Sequence, residues 1–249
     1  MKKVMLALVC CAGFSLSSVQ AAAPNINVGS LFDFINSDKG TFLKRVRNSG
    51  DATAFVRVEI SEIVYDADRK PVERPVENTR LGEDKDGLVA SPARLIIPAN
   101  SQQSARLLYS GDRTHEKYYR VRFVPAMPDK SDDFSLSTEE RDQYKKEMSA
   151  GVSIMTGYGT IVVVHPSKAH FATDIKEGAD GYTVSNNGNS TIVLDGFKAC
   201  GAKGKDCQPG RQIHLLPQSS QTFSKSEQHT YEFKLIEGNQ EKPVRLGFK

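Results

Sequence analysis

The run from Val152 to Pro166, Val-Ser-Ile-Met-Thr-Gly-Tyr-Gly-Thr-Ile-Val-Val-Val-His-Pro, most constrains what this chain can become. It is a long β-forming segment, entered from a highly charged stretch and stopped by a proline. Val152, Ile154 and Tyr158 fall two or four residues apart, so an extended backbone projects them from one face. From Thr160 onward β-branched side chains follow without a break, which suits a strand buried on both sides. A strand half-buried and half-offered in this way can complete its own sandwich and lend an edge to another protein.

The N-terminus reads as an export signal. Lys2 and Lys3 form the positive region, Val4 to Phe14 the apolar core, and Val19-Gln20-Ala21 a small-residue cleavage site. The apolar run is too short to span a bilayer. Leu-Val-Cys lacks the small residues that precede a lipid-bearing thiol, so lipid attachment at Cys10 or Cys11 is not expected. The whole chain carries +3, and loss of Lys2 and Lys3 brings it to about +1. With no polybasic block, the balance argues against nucleic acid or bulk membrane as partner. A soluble, exported protein of the periplasm is expected.

Export also decides how the cysteines are read. Only Cys200 and Cys207 remain after processing, on either side of a turn-rich loop, Gly-Ala-Lys-Gly-Lys-Asp. In an oxidising compartment they predict a short disulfide-closed loop. Zinc is not expected, because a second ligand pair and nearby histidines are missing.

Elsewhere the pattern is all-β. Val56, Val58 and Ile60 alternate with Arg57, Glu59 and Ser61, and Tyr119, Val121 and Phe123 alternate with Tyr118, Arg120 and Arg122. Leu95 and Ile97 run into Pro98, and Ala105 to Tyr109 makes a further strand. Turn chemistry separates them at Asn48-Ser-Gly-Asp51, Asp66-Ala-Asp68, Pro98-Ala-Asn100 and Ser110-Gly-Asp112. Between 125 and 151 a long polar loop contains Ser137-Thr-Glu-Glu, a capping box that predicts a short helix to Met148. A second β-rich block follows His165-Pro-Ser-Lys168, and the short proline-bearing connection predicts two sandwiches held at a fairly fixed angle. The expected division is a signal peptide over 1–21, a first sandwich over 22–165 and a second over 166–249. No internal repeat stands out.

Catalytic signatures are missing. There is no Gly-x-Ser-x-Gly and no His-Glu-x-x-His, and His115, His165, His170, His214 and His229 are scattered. Gly157-Tyr-Gly159 lies in a strand pattern without the helix a phosphate cradle needs. The acidic clusters Asp132-Asp133 and Glu139-Glu140 read as solvated surface. The expectation is a non-enzymatic binding module with neither metal nor cofactor.

Several stretches resemble the periplasmic pilus chaperones of the PapD-like superfamily, and within its alternate class the common-pilus (Ecp-type) chaperones. They are Asn27-Val-Gly29, Lys44-Arg-Val-Arg-Asn48, the proline-bounded Pro92 to Pro98 strand with its successor, Glu116-Lys-Tyr-Tyr-Arg-Val121, Gly159-Thr-Ile-Val-Val-Val-His-Pro166, Val184-Ser-Asn-Asn-Gly-Asn189 and the Cys200/Cys207 loop. The resemblance implies two immunoglobulin-like sandwiches in a boomerang. It also implies donor-strand complementation, in which the chaperone lends its long strand to a pilin lacking one and then delivers the pilin to an outer-membrane usher. On that basis Val152, Ile154, Thr156 and Tyr158 are expected to enter the subunit. Arg120, with Lys44 or Arg45, is expected to grip the subunit's terminal carboxylate. Better-known members carry a basic residue in the long strand where this chain has Ile161, so the anchoring charge must come from elsewhere. Pairing of exposed long strands would dimerise the free form. A structural pilin or adhesin is the competing reading, but the mature start passes directly into a first strand instead of a free donor extension.

Overall fold

Strands with one apolar face must bury it against a second sheet, and this chain does so twice. The computed structural model describes residues 23–68, 70–76, 86–130, 134–149, 154–201, 204–225 and 229–247. The expected signal peptide, Val152 and Asp132-Asp133 lie outside them. In the first half, β1 (Ile26–Asn27), β3 (Thr41–Asn48), β8 (Gln102–Ser110) and β6 (Gly87–Ser91) form one sheet in that order. Facing it are β2 (Phe32–Ile35), β10 (Tyr158–Val164), β9 (Lys117–Pro125), β4 (Ala54–Tyr65) and β5 (Pro71–Val76), with β7 (Arg94–Ile97) also paired to β4.

The alternation read from sequence sets which face is inside. Val56, Val58 and Ile60 of β4 and Tyr119, Val121 and Phe123 of β9 join Val46, Leu88, Leu107 and Val162 in one core. The second half pairs a sheet of β11 (Thr173–Glu177), β12 (Gly181–Asn186) and β15 (Ser219–Ser224) with one of β14 (Arg211–Leu215), β13 (Ile192–Cys200), β16 (Thr230–Glu237) and β17 (Gln240–Leu246). Its core, around Val184, Leu194, Phe197 and Phe233, shares no residue with the first. The disulfide joins Cys200 at the end of β13 to Cys207, seven residues on.

The two halves do share a local device that sequence inspection missed. Asn48 is fully buried; its amide donates to the carbonyls of Ala52 (2.8 Å) and Ile97 (3.0 Å), and its oxygen accepts from the Gly50 N–H at 3.0 Å. Asn186 does the same with Ser190 (2.9 Å), Leu215 (2.9 Å) and the Gly188 N–H (3.0 Å). In both turns the glycine is obligatory for space: a Cβ would lie 2.1 Å from the Ala23 carbonyl at Gly50 and 2.3 Å from the His170 carbonyl at Gly188. The repeat is an Asn-x-Gly turn, too short to register as periodicity.

The capped helix forms as expected. In α1 (Thr138–Met148) the Ser137 hydroxyl accepts from the Glu140 N–H, and the Glu140 carboxylate accepts from the Ser137 N–H. Its buried side chains, Tyr144 and Met148, pack with Phe55 and Phe134, and the Tyr144 hydroxyl donates to the Thr53 carbonyl at 2.7 Å. The long polar loop is thereby moored to the outside of the first sandwich.

Candidate functional site

The strand β10 is paired along its whole length by β9 on one side, from Tyr158 opposite Phe123 to Val164 opposite Lys117. On its other side the parallel partner β2 reaches only from Ile161 to Val164. Among the described residues one backbone edge at Tyr158, Gly159 and Thr160 is therefore unpaired, and the segment from Ile154 to Gly157 that leads into it joins no sheet. An unpaired edge is a template for another strand.

Side-chain parity along this segment is consistent. Val162 and Val164 face the first core and Tyr158 packs against it. Thr156 and Ile154 continue the same spacing beyond that core, and Ile154 is 79% exposed. The expected donor set is thus divided: Ile154 and Thr156 are exposed, Val152 is outside the described residues, and Tyr158 is half-buried at home. Tyr158, expected to enter a subunit, packs against its own first core in the free chain.

The opposite face of the same sheet looks toward the second sandwich. Phe32, Tyr118, Arg120, Ile161 and Val163 meet Thr191, His214 and Leu216 around a cleft of about 200 Å³. Arg120 stands on β9 opposite Ile161 of β10, as sequence alternation places it. Its Nε donates to Glu73 Oε1 at 3.0 Å, while Arg122 Nη2 donates to Glu73 Oε2 at 2.6 Å. Burial pushes the Glu73 carboxyl up, but the hydrogen bonds from Arg122 and Arg120 outweigh it and hold the group below its ordinary range.

Lys44 and Arg45 are not brought to Arg120. Lys44 points between the two sheets, only 3% exposed, and donates to Asp33 Oδ2 at 2.7 Å. Burial raises the Asp33 carboxyl pKa, against the pull of the Lys44 ammonium. A buried pair of this kind leaves no charge for a guest. Arg45, the next residue on β3, is exposed on the far face of the other sheet. Neither therefore stands beside Arg120 in the free chain, where one of the two was expected as its partner. The signal for Lys44 was present: it shares a face with Phe42, Val46 and Asn48.

Contacts between the two sandwiches set the cleft, and sequence reasoning did not single out Glu116, Thr191, Phe32 or His214 for them. Glu116 Oε2 accepts from the Thr191 N–H at 2.7 Å, and Glu116 Oε1 accepts from the Tyr118 hydroxyl at 2.6 Å and from the Thr191 hydroxyl. The Phe32 and His214 rings stack at 3.7 Å, and Asn36 Nδ2 donates to Asn239 Oδ1 at 3.1 Å. His165 lies against Phe34 and Phe171, and burial with the nearby Arg113 cation lowers its pKa to about 4. It is therefore neutral near pH 7, and its 3.8 Å approach to Glu116 is not an ion pair.

With this geometry in view, the likeness to known proteins is specific. No family model matches the sequence. The chain is 29% identical over 229 residues to a probable fimbrial chaperone, EcpB, of Escherichia coli O157:H7, covering 90% of each. It is 28% identical to the protein of the same name in Escherichia coli K12, over the same share. The chain is thus similar to fimbrial chaperones over nearly all of its length. Among solved structures, the class 5 fimbriae chaperone CfaA superposes with a TM-score of 0.52 at 22% identity, covering 89% of this chain and 99% of that one. The Escherichia coli chaperone DraB gives 0.51 at 13% identity, covering 90% and 96%. These superpositions show a shared two-sandwich fold. Among the described residues of this chaperone no helix is long and apolar enough to cross a membrane.

Proposed function

We propose that this chaperone captures pilus subunits in the periplasm by donor-strand complementation and hands them to an outer-membrane usher. The observation that carries this reading is the partial pairing of β10: its edge is open from Tyr158 to Thr160, next to the exposed Ile154. A subunit missing one strand would gain backbone hydrogen bonds along that edge and receive Ile154 and its same-face neighbours in its groove. Each large apolar side chain so buried contributes roughly 1.5–3 kcal/mol. The subunit's terminal carboxylate would sit in the cleft at Arg120. Both Nη atoms of Arg120 are without a hydrogen-bond partner among the described residues, which suits a two-pronged grip. Neither metal nor nucleotide is needed for these steps.

The pilin reading is weaker, because β1 pairs with β3 and β2 pairs with β10, so the first described residues are built into both sheets of the chain's own sandwich. The deciding experiment is co-expression with candidate pilins. The reading predicts a one-to-one complex that protects the pilin from protease; polymerisation of the purified chain by itself would favour the pilin instead.

A further inference from the structure

The sheet farthest from the cleft has an unusual charge content. Its strands β1, β3, β6 and β8 contain no aspartate or glutamate, yet they carry Lys44, Arg45, Arg47 and Arg106. Lys44 is neutralised internally by Asp33. The three arginines point outward and are exposed. In the β3–β8 register Arg45 lies opposite Ser104 and Leu43 opposite Arg106. Arg45 and Arg106 are therefore diagonal neighbours on one face, with Arg47 two residues further along β3. None of the three side chains has a hydrogen bond or ion pair with a described residue. Several cations elsewhere pair with acids: Arg120 and Arg122 share Glu73, Lys117 meets Glu62, Lys225 meets Glu177 and Lys234 meets Glu241.

Like charges within a Debye length of about 8 Å repel, and like charges on neighbouring sheet positions are unfavourable. A folded sheet gains nothing from holding three such cations together; a partner carrying carboxylates would. The same face carries Leu43, 51% exposed, beside the half-buried Leu108 and Val89. An apolar centre ringed by arginine instead of lysine is the composition of a protein contact, since the planar guanidinium matches a carboxylate in two bonds. Rigid strands present these groups on a nearly flat surface, without the amphipathic helix that would favour a lipid headgroup layer.

We propose that the outer face of the β1-β3-β8-β6 sheet, centred on Leu43 and edged by Arg45, Arg47 and Arg106, docks an acidic protein surface. This face lies across the first sandwich from the cleft, so both can be occupied at once, and the inference does not depend on the donor-strand reading.

The test uses the full chain and a fluorescein-labelled peptide of alternating glutamate and leucine, followed by anisotropy at low salt. Binding is expected, weakened about tenfold in R45A/R47A/R106A as interface arginines dominate such contacts, and weakened again by added salt. Amide NMR shifts on the unmodified chain should centre on β3 and β8, which keeps the test valid should the triple variant fail to fold. The proposal is overturned by no peptide binding, by equal binding to the triple variant, or by shifts confined to the cleft. Tighter binding to phosphatidylglycerol vesicles or heparin would overturn it in favour of a lipid or polyanion. Arginine-dependent self-association at low salt would overturn it in favour of a second copy of this chain.

Discussion

Glu73 holds Arg120 by one nitrogen only: the 3.0 Å bond runs from Nε, and the two terminal nitrogens have no hydrogen-bond partner among the described residues. The arginine is thus aimed by an internal carboxylate without being used up by it. Arg122 shares the load on the other Glu73 oxygen at 2.6 Å.

Replacing Arg120 with alanine should abolish recovery of a co-expressed pilin while the chaperone stays folded. The exposed part of the Arg120–Glu73 pair is worth no more than about 1 kcal/mol to stability. Lysine at this position should not restore capture, because it lacks the fork. Pull-down yield and thermal melts separate the two effects, and unchanged yield with the alanine variant would remove Arg120 from the binding site.

Ile154→Asp should also prevent capture with no loss of stability, since the side chain is 79% exposed in the free chain. Val162→Asp, at a fully buried core position on the same run, should prevent folding instead. Native gel shifts and circular dichroism of both variants would distinguish a lent residue from a retained one.

Loss of Asn48 should be costly. Its amide and oxygen serve the Asn25 and Gly50 N–H groups and the Ala52, Ile97 and Pro98 carbonyls. Asn48→Ala leaves several of these buried and unmet, at about 1–3 kcal/mol for each group water cannot reach. Asn186→Ala should act likewise on the second sandwich. Denaturant melts should show a lower midpoint for each single variant, with near-additive effects in the double variant because the sites lie in separate cores.

His165 should make the junction acid-sensitive. Its pKa is near 4 when folded and near 6.5 when unfolded. The unfolded chain therefore binds the proton first, and stability is full above about 6.5 and lost as pH falls toward 4. Glu116 works in the opposite sense, because burial raises its pKa and protonation on acidification relieves the folded state. His165→Gln should flatten the fall in melting temperature between those pH values; a parallel fall in variant and parent would show that His165 is not the group responsible.

Much of this architecture was legible in the residues because it depends on near neighbours. Alternation at Val56, Val58 and Ile60 assigned a core face to β4, and Ser137 with Glu140 marked the helix start to the residue. Cys200 and Cys207 declared their own bridge. Arg120 stands on β9, paired with the long run of β10, and Tyr119 and Val121 fix which way it points.

Period-two chemistry and short-range hydrogen bonds, which need only a few consecutive side chains, let the sequence alone determine an all-β chain in two blocks with a long strand closing the first. Tertiary structure alone decided how far the home core consumes that strand, that Asp33 claims Lys44, that Glu73 aims Arg120, and that Glu116 locks onto Thr191. Each of these depends on which strands from distant parts of the chain come to lie side by side, and pairings between remote segments leave no local pattern to read.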